Sequence, residues 1–189
     1  AALRTGNLDF ADELTPAEKN QLSQGKPDIR WQGCEGSGPL FVFMKYGEPP
    51  FNDVNVRRAL SMSVDREAIL KGILKGEGFV AGTGPRFVEG VLKPEEYPPE
   101  IRKYLEYRPQ EAKELLAKAG YPNGLSFPMS GTMDYGSPYS EILEVLPTMM
   151  KAGGFDVQLK PVSLAENDAT NVQGKYDRSF AGKSGTGAY

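Results

Sequence analysis

Cys34 is the single cysteine of this 189-residue chain, and histidine is absent. The groups best suited to nucleophilic attack, general-base work and soft-metal ligation near neutral pH are therefore almost missing. One thiol makes neither an internal disulfide nor a zinc or iron–sulfur cluster, and without imidazole the histidine-dependent triads and nitrogen-ligated metals fall away. Cys34 reads as a small, partly buried residue. Among the carboxylates, Asp9, Asp12 and Glu13 are close enough in sequence for acid–base chemistry, but they read as solvated charges flanking a strand. Lys93, Glu95 and Glu96 read as a wet surface. Arg57 and Arg58 carry more information, because one of them falls on the buried side of a helix and needs an anionic partner, for which Asp53 or Asp65 is the candidate. No nucleophile stands beside a base. The chain reads as a non-enzyme without cofactor, a hydrolase being the remote alternative.

Two glycine motifs imitate nucleotide sites. Gly76-Glu77-Gly78-Phe79-Val80-Ala81 has the letters of a dinucleotide fingerprint, which requires a strand before it and a helix after it. Here a helical pattern precedes it and a loop follows, so a helix-ending glycine turn is expected. Gly182-Lys183-Ser184 resembles the end of a P-loop, yet Asp177 stands where the first glycine is needed and its charge would repel phosphate.

The elements that must position any site follow from patterning. Thr15-Pro16-Ala17-Glu18 is a capping box with proline in the first turn, opening a short helix to about Gln24. Leu8 to Ala11 is expected as a short strand and Leu40 to Tyr46 as a longer one. Val56, Ala59, Leu60 and Ser63 share a helical face, and after a break Ile69, Leu70, Ile73 and Leu74 resume it, with Asp65 capping the second helix. Gly76 to Pro99, dense in glycine and proline, is an ordered surface excursion anchored by Phe79, Val80, Phe87, Val91 and Tyr97, or a mobile loop. Pro109 opens a helix with Ala112, Leu115, Leu116 and Ala119 inward, ended by Gly120 and Pro122. A strand at Leu125 to Ser130, a helix from Pro138 to Ala152 with Ile142, Val145, Leu146 and Met149 inward, and an alternating strand at Phe155 to Val162 make a β-α-β unit with parallel strands and a right-handed crossover. Pro147 should kink that helix. Ser163 to Glu166 is a second capping box, opening a helix to about Gln173, and Arg178 to Gly182 returns as a strand. The sum is an α/β lobe with a mixed sheet flanked by helices.

The whole-chain figures bound the partners. With 22 basic and 25 acidic residues the formal charge is −3, which gives no global attraction to nucleic acid or anionic lipid. The longest apolar run, Leu40 to Met44, falls far short of the ~20 residues of a membrane-spanning helix. The start at Ala1-Ala2-Leu3, with no initiator methionine or targeting segment, reads as a cut inside a longer protein.

Several blocks then carry a resemblance. Leu3-Arg4-Thr5-Gly6-Asn7-Leu8-Asp9 resembles the L-x-S-G-E-x-D segment of the family 5 extracellular solute-binding proteins, the oligopeptide, dipeptide and nickel receptors of ABC importers. Pro49-Pro50-Phe51-Asn52-Asp53-Val54-Asn55-Val56-Arg57-Arg58-Ala59-Leu60, followed by Ser63-Val64-Asp65-Arg66-Glu67-Ala68-Ile69, is similar to that family's P-F-x-D-x-R-V-R-x-A and A-x-D-R-E-x-I blocks. Tyr107-Arg108-Pro109 with Ala112-Lys113, Leu115-Leu116 and Ala119-Gly120-Tyr121 is similar to its Y-D-P-x-x-A-K-x-L-L-x-x-A-G-Y helix. Gly154-Phe155-Asp156-Val157 and Tyr176-Asp177 fit the later course.

The resemblance implies that residues 1–189 are the carboxyl-side lobe of a larger type II, two-lobed periplasmic-binding-protein-like fold, its partner lobe lying elsewhere. It implies an extracytoplasmic receptor, lipid-anchored or free, that takes a peptide into the cleft, closes on it and delivers it to a membrane permease. A nickel chelate, siderophore or oligosaccharide is the alternative ligand. By placement, Lys45 and Tyr46 at a strand end, Lys183 and Ser184 near the hinge-side terminus, and Tyr189 are candidate ligand contacts, and the two lysines are candidates to clamp one carboxylate. Arg57, Arg58 and Asp65 are assigned to architecture. Three departures stand out: Lys45 replaces a frequent asparagine, Lys183 a frequent tryptophan, and Arg108 the usual helix-capping aspartate.

Overall fold

Alternation of apolar and polar side chains builds the sheet. In a computed structural model, which describes residues 2–11, 14–32, 40–80 and 90–183, four strands form one sheet: β1 (Leu40–Met44), β2 (Leu125–Thr132), β3 (Phe155–Val162) and β4 (Ser179–Lys183). Their order is β1-β4-β2-β3, with β2 parallel to both β3 and β4 and β1 antiparallel to β4. In β3, Phe155 and Val157 are buried while Asp156 and Gln158 face solvent, so one face of the sheet is apolar and the other wet. The expected parallel β-α-β pairing is present.

The helices are α1 (Ala2–Thr5), α2 (Pro16–Gly25), α3 (Val54–Met62), α4 (Arg66–Gly72), α5 (Pro99–Arg102), α6 (Pro109–Lys118), α7 (Tyr139–Ala152) and α8 (Leu164–Gln173), with 3₁₀ turns at Pro94–Glu96 and Lys103–Leu105. Their starts are set chemically. The Thr15 hydroxyl accepts the Glu18 N–H at 3.2 Å and the Glu18 carboxylate accepts the Thr15 N–H at 2.9 Å, completing the capping box and lowering the pKa of Glu18. Asp53 accepts the Asn55 N–H at 2.7 Å, and Asp65 accepts the Ala68 N–H at 2.9 Å. Gly76, with φ +83°, closes the turn after α4 by donating to Leu70 O at 2.9 Å, the expected glycine stop.

Three elements meet through phenylalanine. Phe51, Phe127 and Phe155, from the loop before α3, from β2 and from β3, stack edge to face with centroids 5.0 and 6.1 Å apart. Val56, Ala59, Leu60 and Met62 of α3, with Ala112 and Leu116 of α6, complete the layer on that face. Near it the carboxyl ends of α3 and α7 meet at Gly153, where a Cβ would lie 1.8 Å from the Ser63 hydroxyl. Ser63 itself donates to Ala59 O at 2.7 Å.

Several expectations are corrected. Residues 8–11 form no strand: Ala2–Thr5 is one helical turn, and Leu8 and Phe10 are 51% and 77% exposed, so with neither a ladder partner nor a core an extended segment gains nothing there. α7 runs continuously through Pro147. Its buried face is Ile142, Leu143, Leu146 and Met150, one residue round from the expected set, leaving Val145 and Met149 half-buried at its margin. Cys34, Asp12, Glu13 and Phe87 lie outside the described residues.

Asp65→Ala is expected to cost about 1 kcal/mol, a fall in Tm of about 2–4 °C, read by thermal melting; unaltered stability counts against the cap. Gly153→Ala tests the helix contact without a left-handed penalty, since φ is −89° there. It should cost about 1–3 kcal/mol by overcrowding, and adding Ser63→Gly should return part of that in a double-mutant cycle measured by urea unfolding.

Candidate functional site

Parallel strands end at one edge. Thr132, Val162 and Lys183 terminate β2, β3 and β4, and the antiparallel β1 begins there, with Leu40 opposite Lys183. The connection through α7 carries the chain from β2 outward to β3, and the one through α8 brings it back past β2 to β4. Connections leaving the neighbouring strands β2 and β4 therefore diverge, and such a switch point opens a crevice beyond the carboxyl ends, where open α/β sheets bind ligands.

The lip of that crevice is polar and internally braced. The Thr132 hydroxyl, fully buried, accepts the Asp134 N–H at 3.2 Å. Asp134 Oδ2 accepts the Leu164 N–H at 2.8 Å, which sets a carboxylate at the positive end of α8. The Glu166 N–H reaches the Ser163 hydroxyl at 3.3 Å, so Ser163 and Asp134 share the capping of that helix. Asn167, wholly buried, donates from Nδ2 to the Tyr135 hydroxyl at 3.2 Å, and its Oδ1 has no partner. The Tyr135 and Tyr139 rings pack 6.0 Å apart. Hydroxyl, amide and carboxylate groups in this arrangement can read the hydrogen-bonding pattern of a bound molecule.

The structure does not bring the five candidate contacts together. Lys45 follows β1, donating its N–H to Arg178 O at 3.1 Å, and Tyr46 beside it is 77% exposed. The register sets Leu40 against Lys183 and Met44 against Ser179. Lys45 and Lys183 thus stand at opposite ends of the ladder, five residues or about 17 Å apart along the strand, which counts against a shared carboxylate. Ser184 and Tyr189 lie outside the described residues.

The arginines find oxygens and rings. Arg57 donates to Phe51 O and Asn52 O, and the Arg58 guanidinium lies 4.6 Å from the Tyr104 ring centroid. Asp53 and Asp65 are instead helix caps. The arginine that sequence reasoning passed over is Arg66: it donates to Ser61 O at 2.8 Å, to the Ser61 hydroxyl at 2.9 Å and to Leu105 O at 3.2 Å, tying α3 to the 3₁₀ turn before α6. Burial pushes its pKa down. Arg108 gives α6 no side-chain cap and pairs instead with Glu111 at 2.6 Å and Glu106 at 2.7 Å, which raise its pKa. Asp134, Tyr135 and Asn167 were also passed over, although a turn-rich stretch after a strand of a β-α-β unit is the signal that finds such a lip.

Residues 1–188 match the family model described as bacterial extracellular solute-binding proteins, family 5 middle. The chain belongs to that family. The glutathione-binding protein GsiB of Escherichia coli K12 is 27% identical over 175 residues, covering 93% of this chain and 32% of that protein. Heme-binding protein A of Haemophilus influenzae is 36% identical over 128 residues, covering 66% of this chain and 21% of that protein. Among solved family 5 structures, AgaA of A. tumefaciens R10 in complex with agropinic acid superposes with a TM-score of 0.73 at 25% identity, over 97% of this chain and 36% of that one. The periplasmic binding protein DppA of Helicobacter pylori, in complex with the peptide STSA, gives a TM-score of 0.75 at 23% identity, covering 97% and 34%, and supports the fold. The chain therefore spans about a third of the length of the curated relatives it matches. Among the described residues, no helix is long and apolar enough to cross a membrane.

Asp134→Ala should leave the sheet intact and loosen the first turn of α8, raising amide exchange at Leu164 and its neighbours several-fold by hydrogen-exchange mass spectrometry. Unchanged protection there would remove Asp134 from the capping role.

Proposed function

We propose that this chain is the carboxyl-side lobe of an extracytoplasmic receptor that captures a peptide or peptide-like solute and delivers it to the permease of an ABC importer. The observation that carries the reading is the switch point between β2 and β4, in a chain whose family is that of solute-binding proteins. One lobe supplies half of a cleft. Ligand bound along its lip gains enclosure when a second lobe closes over it, and affinity follows from contacts made only in the closed state. A lip of hydroxyl, amide and carboxylate groups suits peptide backbone and termini. The relatives support this ligand class: one is named for glutathione, and a DppA-type structure holds a peptide. The role is binding and release, without catalysis or cofactor, in the periplasm or its equivalent.

Of the two lysines, Lys183 is assigned to the ligand carboxylate, because β4 ends at the lip, and Lys45 is assigned to the far edge. A second reading, a receptor for a heme-like chelate, is favoured by the 36% identity to heme-binding protein A.

Native mass spectrometry of the gently purified full-length protein decides the ligand class. Released short peptides support the reading, whereas a heme, sugar or other single compound replaces the substrate. With a recovered anionic ligand, Lys183→Met should weaken affinity about 10-fold or more, the value of a charge-assisted contact, while Lys45→Met leaves it unchanged. Equal effects of the two substitutions, or none, would remove the lysine assignment.

A further inference from the structure

A second concavity lies at the opposite edge of the sheet. A groove of about 340 Å³ opens at the amino ends of β2 and β3, floored by Leu116, Tyr121 and Phe155 and flanked by Lys113 of α6 and Lys151 of α7. Its size is at the lower end of small-molecule sites, roughly 300–1,000 Å³.

The two lysines are free for a reason written in the sequence. Helical ion pairs need a carboxylate three or four residues away. Around Lys113 those positions hold Pro109, Gln110, Leu116 and Ala117, and around Lys151 they hold Pro147, Thr148, Gly154 and Phe155. Lys71, by contrast, has Glu67 one turn back at 3.6 Å. No ion pair among the described residues involves Lys113 or Lys151. Lys113 is in the interior of its helix, so the attraction of a cation to a helix carboxyl end does not account for it.

Gly154 keeps the groove open. With φ at +94°, a Cβ there would lie 3.2 Å from Leu116 Cδ2 and 3.5 Å from Lys113 Cγ, so the lysine stem runs along bare backbone. The Asn123 side chain stands at the same rim. The one carboxylate in the lining, Asp156, is turned to its own partners: its Oδ2 accepts from the Ser126 hydroxyl and from Gln158 Nε2, each at 3.1 Å. Two unpaired ammonium groups over an apolar floor make a place for a molecule with a negative head and a hydrophobic body.

We propose that this groove binds a small organic oxyanion, its carboxylate or phosphate head between Lys113 and Lys151 and its apolar body on Leu116 and Phe155. The site is separate from the lip of the crevice, and it stands whether or not the receptor reading does.

Phenyl phosphate, phenylacetate and inorganic phosphate, titrated into the full-length protein at constant ionic strength by calorimetry, test the proposal. Saturable binding of an aromatic anion, at least several-fold tighter than inorganic phosphate, is expected; which of the two aromatic anions binds better identifies the head group. Lys113→Met with Lys151→Met keeps both apolar stems and should weaken that binding about 10-fold or more, as should each single lysine-to-glutamine substitution in part. Asp156→Asn, which removes the competing charge, should tighten it. No saturable binding, binding that survives loss of both lysines in a protein of unaltered melting, or inorganic phosphate binding as tightly as phenyl phosphate would overturn the proposal.

Discussion

The contact of Phe51 with Phe127, and of Phe127 with Phe155, is the constraint on which the rest of the lobe depends. It joins the loop before α3 to β2, and β2 to β3. Each ring is almost wholly buried and meets its neighbour edge on, an arrangement that fixes orientation as well as burying area. With Phe51 held, α3 starts at Asp53 with its apolar stripe already facing the sheet, and α6 follows against α3. The apolar face is thereby covered by helices, and the carboxyl ends of the parallel strands are left to form the lip. Both concavities lie at the ends of this sheet, one at each edge.

Much of this was legible in the residues. Local chemistry with a single solution was read correctly: the Thr15–Glu18 box, the caps at Asp53 and Asp65, the stop at Gly76, and the alternation of β3. The family resemblance was likewise legible, because Pro49 to Ile69 includes a core ring, two caps and the first helical layer in one block. What failed was whatever depended on a distant partner. Leu8 to Ala11 has strand-like letters but no strand beside it. In α7 the apolar residues Ile142, Leu143, Val145, Leu146, Met149 and Met150 nearly encircle the helix, so periodicity alone does not choose the centre of the buried face. The two lysines were separated by a register that no local pattern states.

The arginines show the same division. A guanidinium near a core was expected to need a carboxylate, yet Arg57 and Arg66 end on carbonyl oxygens, and Arg58 lies over an aromatic ring. Carbonyls at the ends of short helices are left without intrahelical donors, and a five-donor fork is well matched to several of them at once. Arg66 gathers oxygens from two segments, Ser61 and Leu105, that are far apart in sequence. Its partners were invisible in the motif that contains it, because half of them belong to another part of the chain.

Because β1 is antiparallel to β4, the chain enters the sheet at Leu40 and leaves it at Lys183 as direct neighbours across one ladder. Two tethers only about 5 Å apart act mechanically as one pivot. A small change in backbone angle just outside that pair would swing the whole sheet-and-helix body as a unit, with little internal repacking. Displacement would grow with distance from the pivot, so the Gly154 groove at the far edge would travel through a wider arc than the lip itself.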